Sequence, residues 1–205
     1  SLRFDLTVPL ARFVAANPDI SKPFKRYEIG RVWRGESPQA GRYREFIQAD
    51  VDIVGQVSLR ADAEIIAVIY RTLENLGINN FLIKINNRQL LYYLCDYISS
   101  KAEDNNRKFN LDLMRIVDKK DKYGADAVLQ EIKERFGKEI AEKAALYIVK
   151  PDPQEIQKVA EHFSVEINKV IGYLNEMGIR DKYIVDYSLA RGLAYYTGTV
   201  FETVL

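Results

Sequence analysis

Arg34, Arg42 and Arg44 crowd into one short stretch with Glu36, Ser37, Pro38, Gly41 and Tyr43, between two segments that read as strands. Planar guanidiniums in a glycine-containing loop offer paired, charge-assisted donors, the chemistry that holds a phosphate or a carboxylate. Far along the chain, Leu189 to Glu202 reads LARGLAYYTGTVFE and brings another cation, Arg191, with Tyr195 and Tyr196. The two stretches read as halves of one active site.

The elements that must position these groups follow from periodicity. Leu2, Phe4, Leu6, Val8 and Leu10 alternate with Arg3, Asp5, Thr7 and Pro9, which predicts a half-buried strand with Asp5 and Thr7 on its polar face, then a short helix from Ala11 to Ala16. Strands follow near Lys25 to Arg34 and Glu45 to Val54. Parity puts Phe46, Gln48, Asp50 and Asp52 on one face and Ile47, Ala49, Val51 and Ile53 on the other, one face for chemistry and one for core. Arg26, Glu28, Gly30, Val32 and Arg34 share a face of the first strand. A helix is expected from Ala61 to Leu76, with Ser58 as cap and Gly77 as terminator, and a strand from Phe81 to Asn86. From Arg88 to Met177 the spacing turns helical, with Asp152 and Pro153 suited to open the last helix, and strand character returns at 183–188 and 199–205. The fold class is α+β: an antiparallel sheet with an inserted all-α module, divided as 1–87, 88–178 and 179–205.

Composition narrows the function classes. A chain of 205 residues with 47% hydrophobic content and a formal charge of +1 can bury a full core and argues against a generic nucleic-acid binder. Nothing approaches the roughly 20 apolar residues that span a bilayer, so a soluble, cytoplasmic protein is expected, without a membrane partner. The lone Cys95 and lone His162 sit in helical stretches without partners at metal spacing, and both read as structural; no metal ligands are expected. The run Lys119, Lys120 and Lys122 reads as a solvated face. The chain has no initiator Met, opens inside an alternating segment and stops on another, TVFETVL, and is expected to be a piece of a longer polypeptide.

The stretch FKRYEIGRVWRGESPQAGRYREFIQADVDIVG resembles motif 2 of the class II aminoacyl-tRNA synthetases, and SLRFDLTVPLAR with LARGLAYYTGTVFE resembles the histidine-specific segments of histidyl-tRNA synthetases. The helical middle resembles that family's insertion domain in position only. The resemblance implies a class II sheet and a two-step reaction, in which histidine and ATP, with its Mg2+, give histidyl-adenylate, and the histidyl group then passes to the 3′ end of its tRNA. It implies a homodimer for the whole protein.

Residue by residue, the resemblance implies that Arg34 and Arg191 are catalytic, neutralising charge at the α-phosphate. Arg34, Glu36, Arg42 and Phe46 would frame ATP, with Phe46 on the adenine. Tyr43 and Arg44 would lie in the loop that meets the tRNA acceptor end. Asp5, Leu6, Thr7 and Gln48 would hold the α-amino group, and Asp52, Tyr195 and Tyr196 the imidazole. Ala194 departs from the family, which usually has Asp there. The alternative reading is a catalytically idle relative such as the regulatory subunit of ATP phosphoribosyltransferase, which tends to lose residues that here remain. Motifs 1 and 3 are not found, so the 205 residues alone are expected to be inactive, with Val200, Phe201, Val204 and Leu205 short of cover.

Overall fold

The computed structural model describes residues 2–99, 106–190 and 196–205, and the chain divides into two compact units, 1–61 and 62–205. In the first unit, helix α1 (Thr7–Ala16) replaces the expected opening strand. Alternating apolar residues also contain an i,i+4 pair, Leu6 and Leu10, and these are the two that are buried. Asp5 Oδ1 accepts the Val8 amide at 3.2 Å, and Pro9 sits in the first turn, where a missing N–H leaves nothing unpaired. Capping and the proline position outweigh the period-2 pattern.

Strands β1 (Phe24–Trp33) and β2 (Glu45–Val54) pair antiparallel, with Arg26 opposite Asp52, Glu28 opposite Asp50, Gly30 opposite Gln48 and Val32 opposite Phe46. The predicted parity holds, but the expected solvation of its faces is reversed. The face of Arg26, Glu28, Gln48 and Asp52 is partly buried and Val32 on it is fully buried, whereas Tyr27, Ile29 and Ile47 on the apolar face are exposed. The reason is the course of residues 3–6, which lie along the polar face. There the Arg3 carbonyl accepts the Trp33 amide at 2.9 Å, and Arg3 Nε donates to the Arg31 carbonyl at 2.7 Å. Gly30 leaves room for the Arg3 guanidinium, since a Cβ there would overlap Arg3 Nη2 and make that side chain shift.

Helix α2 (Leu59–Asn75) opens where Ser58 Oγ accepts the Ala61 amide at 3.2 Å and is followed by Gly77 at φ +76°, as its signals predict. Strand β3 (Leu82–Asn87) leads into helices α3 (Arg88–Ser99), α4 (Asn106–Val117), α5 (Lys120–Tyr123), α6 (Ala125–Phe136) and α7 (Lys138–Ala144), a π turn over Ala145–Val149, and α8 (Pro153–Glu176). Asp152 Oδ1 accepts the Gln154 amide at 2.9 Å, with Pro153 at the first helical position. Leu90, Leu94, Cys95, Ile98, Leu113, Ile132 and Ile148 form the dry centre of this block.

Strands β4 (Tyr183–Val185) and β5 (Thr199–Val204) flank β3, giving the order β4-β3-β5. The β3–β5 pair is antiparallel, but β4 runs parallel to β3, an outcome that a long helical crossover permits and hairpin spacing did not predict. Val200 is buried opposite Asn86 and Phe201 is partly covered, contrary to the expectation of bare ends; Val204 and Leu205 are exposed.

Candidate active site

Two parts of the hairpin face carry the candidate residues of the first unit. At the loop end, Arg34, Glu36, Gly41, Arg42, Tyr43 and Phe46 line one open pocket. The loop is shaped by a tight turn in which Gln39 and Arg42 exchange amide–carbonyl bonds of 3.1 and 2.9 Å, with Gly41 at φ +74° as the turn requires. Arg42 pairs with Glu36 at 3.5 Å, and Arg44 Nε donates to the Glu36 carbonyl at 3.3 Å. The Arg34 guanidinium lies between two rings, 4.8 Å from the centroid of Phe4 and 5.0 Å from that of Phe46. Its Nη2 donates to Gln48 Oε1 at 3.1 Å and its Nε to the Phe4 carbonyl at 3.4 Å, so it is held by stacking and two hydrogen bonds, with no carboxylate paired to it among the described residues. A cation fixed in this way is preorganised for an incoming anion.

Farther along the same face, Gln48 Nε2 donates to Asp50 Oδ1 at 2.7 Å. Asp52 faces Arg26 across the ladder, with Arg26 Nη2 3.0 Å from Asp52 Oδ2. That contact lacks the alignment of a hydrogen bond, and Asp52 Oδ2 and Arg26 Nε are both buried without a hydrogen-bond partner among the described residues. Burial pushes the Asp52 carboxyl above the usual range, Arg26 pulls it down, and Asp50 and Glu28 push it up again. Arg26 Nη2 also donates to the Leu6 carbonyl at 3.1 Å, while its Nη1 donates to Glu28. Asp5 caps α1 through Oδ1, Leu6 is fully buried and Thr7 is exposed on the first helical turn. Arg26, Glu28, Asp50 and Arg3 were not singled out from sequence as site residues. The signal was there in the pairing register, which sets Arg26 opposite Asp52.

The second unit holds the other candidates. Arg191 and Tyr195, with Ala194, lie outside the described residues; Tyr196 is exposed. The chain on either side of them is gripped by β3 and the start of α3. Asn86 Nδ2 donates to the Tyr187 and Leu189 carbonyls at 3.2 and 3.1 Å, and the buried Arg88 reaches the Ala190 carbonyl at 3.5 Å. On the far side, the Gly198 carbonyl accepts the Arg88 amide at 2.8 Å, and the Thr197 carbonyl accepts Gln89 Nε2 at 3.1 Å. Lys84 meets Asp186 at 3.2 Å, and Ser188 Oγ donates to Asp186 at 2.6 Å while accepting Lys120 Nζ at 2.7 Å. Burial alone would raise the Asp186 carboxyl, but Ser188 and Lys84 outweigh it and hold it below the usual range; burial likewise opposes the Lys84 charge, and Asp186 and Asp121 win. In the lysine run, Lys119 and Lys122 are exposed, as a solvated face requires, and Lys119 pairs with Glu131 at 2.7 Å. Cys95 is buried and its thiol pKa is pushed up by that burial.

The family model for histidyl-tRNA synthetase matches residues 1–205. The chain is 40% identical to the histidine–tRNA ligase of Wolinella succinogenes over 224 residues, covering all of this chain and 49% of that protein. Its structure is similar to the crystal structure of histidyl-tRNA synthetase from Nostoc sp. PCC 7120, with a TM-score of 0.81 and 33% identity over 99% of this chain and 49% of that one. A structure described as an ATP phosphoribosyltransferase regulatory subunit/histidyl-tRNA synthetase from Bacillus halodurans C shares the fold, with a TM-score of 0.79 at 22% identity over 98% of this chain and 53% of that one. The chain spans about half the length of the curated relatives it matches.

Proposed function

From the premise that this chain belongs to the histidyl-tRNA synthetase family, we propose that the protein joins histidine to its tRNA in the cytoplasm through a histidyl-adenylate. In the first step a carboxylate oxygen of histidine bonds to the α-phosphorus of ATP, and the bond to the β-phosphate oxygen breaks to release pyrophosphate. In the second, the 3′-terminal hydroxyl of the tRNA takes the histidyl carbonyl and AMP leaves. Neither step needs a covalent nucleophile on the protein. Orientation and charge neutralisation supply the rate.

The observation that carries this reading is the hairpin loop, where Arg34, Glu36, Arg42 and Phe46 share one pocket and Arg34 has no anionic partner in the contacts that hold it. Arg34 would bridge the histidine carboxylate and the α-phosphate; one face of Phe46 is occupied by Arg34, which leaves the other for adenine. ATP would arrive with Mg2+ on its phosphates. Tyr43 and Arg44 would face the tRNA end, and Arg191 would act on charge developing at phosphorus. Asp5, Leu6, Thr7 and Gln48 would receive the α-amino end, and Asp52, Tyr195 and Tyr196 the imidazole, whose N–H would meet Asp52 Oδ2, a buried acceptor with no hydrogen-bond donor among the described residues. A site built on such groups rejects analogues that leave them unpaired. A homodimer and the division 1–87, 88–178 and 179–205, with the middle as an insertion module, belong to the same reading.

Histidine-dependent ATP–pyrophosphate exchange by the full-length protein tests it. Exchange with histidine alone among the amino acids is expected. A protein that exchanges with none of them would instead fit the idle regulatory relative.

A further inference from the structure

Arg26 has no role in the reading above, yet it touches two residues assigned to the candidate histidine site, Leu6 and Asp52. Its side chain is 11% exposed. One nitrogen, Nη1, donates to Glu28; the other, Nη2, donates to the Leu6 carbonyl at 3.1 Å and stands 3.0 Å from Asp52 Oδ2. Glu28 in turn holds Arg3 Nη1 at 3.1 Å, and Arg3 runs over Gly30. The face therefore carries an alternating chain of charge, Arg3, Glu28, Arg26 and Asp52, with Asp50 beside it on Gln48. Glu28 and Asp52 meet the guanidiniums of Arg3 and Arg26, and Asp50 is linked through Gln48 to Arg34.

We propose that Arg26 is a positioning residue of the histidine site: its Nη2 ties the imidazole acceptor, Asp52, to the Leu6 carbonyl of the segment Asp5–Thr7 while Nη1 is anchored on Glu28, and so fixes the distance between the groups that would meet the two ends of histidine. The proposal rests on the histidine-activation reading. Two features support it. The pairing register sets Arg26 directly opposite Asp52. One nitrogen, Nη2, reaches both elements while Nη1 is anchored on Glu28, a two-nitrogen grip that the single ammonium of lysine does not reproduce. Arg26 also supplies the attraction that opposes burial at Asp52, so its loss would leave Glu28, Asp50 and Asp52 facing one another without that cation.

The test is steady-state exchange by the full-length protein with Arg26→Met, Arg26→Lys, Asp52→Asn and the Arg26→Met/Asp52→Asn pair, with KM for histidine and for ATP measured separately. Arg26→Met is expected to raise the histidine KM about tenfold with the ATP KM changed less than about twofold, the size of loss that follows a broken charged hydrogen bond. Arg26→Lys should fall between, because charge returns without the two-nitrogen grip. In the Asp52→Asn background the Arg26→Met step should be smaller than in the parent, since part of its action passes through Asp52. Equal rises in both KM values would make Arg26 a general structural residue and overturn the proposal, as would unchanged kinetics. If Arg26→Met does not fold, Arg26→Lys decides by the same split. Absence of histidine-dependent exchange before any substitution would instead remove the functional reading, and the proposal with it.

Discussion

The hairpin face and the helical block solve opposite problems with the same chain. Leu94, Cys95, Ile98 and Leu113 belong to a sealed apolar cluster; the block also buries Arg88 and Asn110, and ion pairs such as Lys119–Glu131 lie at its surface. On the hairpin, the partly buried face is built from Arg26, Glu28, Gln48 and Asp52, while Tyr27, Ile29 and Ile47 face outward. Burying charge is costly unless each group is met, and here Asp52 Oδ2 is not fully met. The block gains its stability mainly from apolar burial; the hairpin holds polar groups in place for something else to complete. Substitutions should therefore separate, with stability lost in one region and kinetics in the other.

The largest effect is expected in the sealed block. Leu94→Ala removes a fully buried side chain and should cost about 2–5 kcal/mol in chemical denaturation with little change in the exchange KM values. A near-neutral result would mean that the block is not the stabilising core. On the other side of the comparison, Arg34→Ala, and separately Arg191→Ala, should slow exchange by about a hundredfold or more with Tm nearly unchanged. Retained exchange in either variant would remove that cation from the reaction.

Asp186→Asn tests a partly buried charge in the second unit, and about 2 kcal/mol of stability should be lost at neutral pH. The signs are fixed by the shifts. Asp186 is depressed, so its contribution is present above its unfolded pKa and fades as pH falls through the folded one; Lys84 is raised, so its contribution holds below its unfolded pKa and fades as pH rises through the folded one. Urea midpoints of parent and variant should converge under strong acid, and a gap that stays constant with pH would refute the ion-pair account. Asp52→Asn, with its acceptor weakened, should raise the histidine KM about tenfold and spare ATP; calorimetry that found both ligands equally weakened would argue against the separation of subsites. The smallest effect belongs to Asp152→Ala, about 1 kcal/mol from loss of the α8 cap, read as a modest fall in Tm with unaltered kinetics.

Legibility followed the range of the interaction. Strand β2 was readable to the residue, and so were the Ser58 and Asp152 caps and the Gly77 terminator, because each is decided by neighbours within a few positions. The opening helix was not, since Leu6 and Leu10 satisfy both a strand's period and a helix's, and the choice fell to the Asp5 cap and the place of Pro9.

For the site, residue types and spacing by themselves determined the arginine-rich loop and the parity that aligns Gln48 with Asp52. Only the tertiary structure decided which face of the hairpin is buried, that β4 runs parallel to β3 across the helical block, and that Arg26 joins Asp52 to Leu6. Those outcomes depend on contacts between residues tens of positions apart, whose partners are chosen by packing and by the path of the chain; local pattern carries no record of that choice.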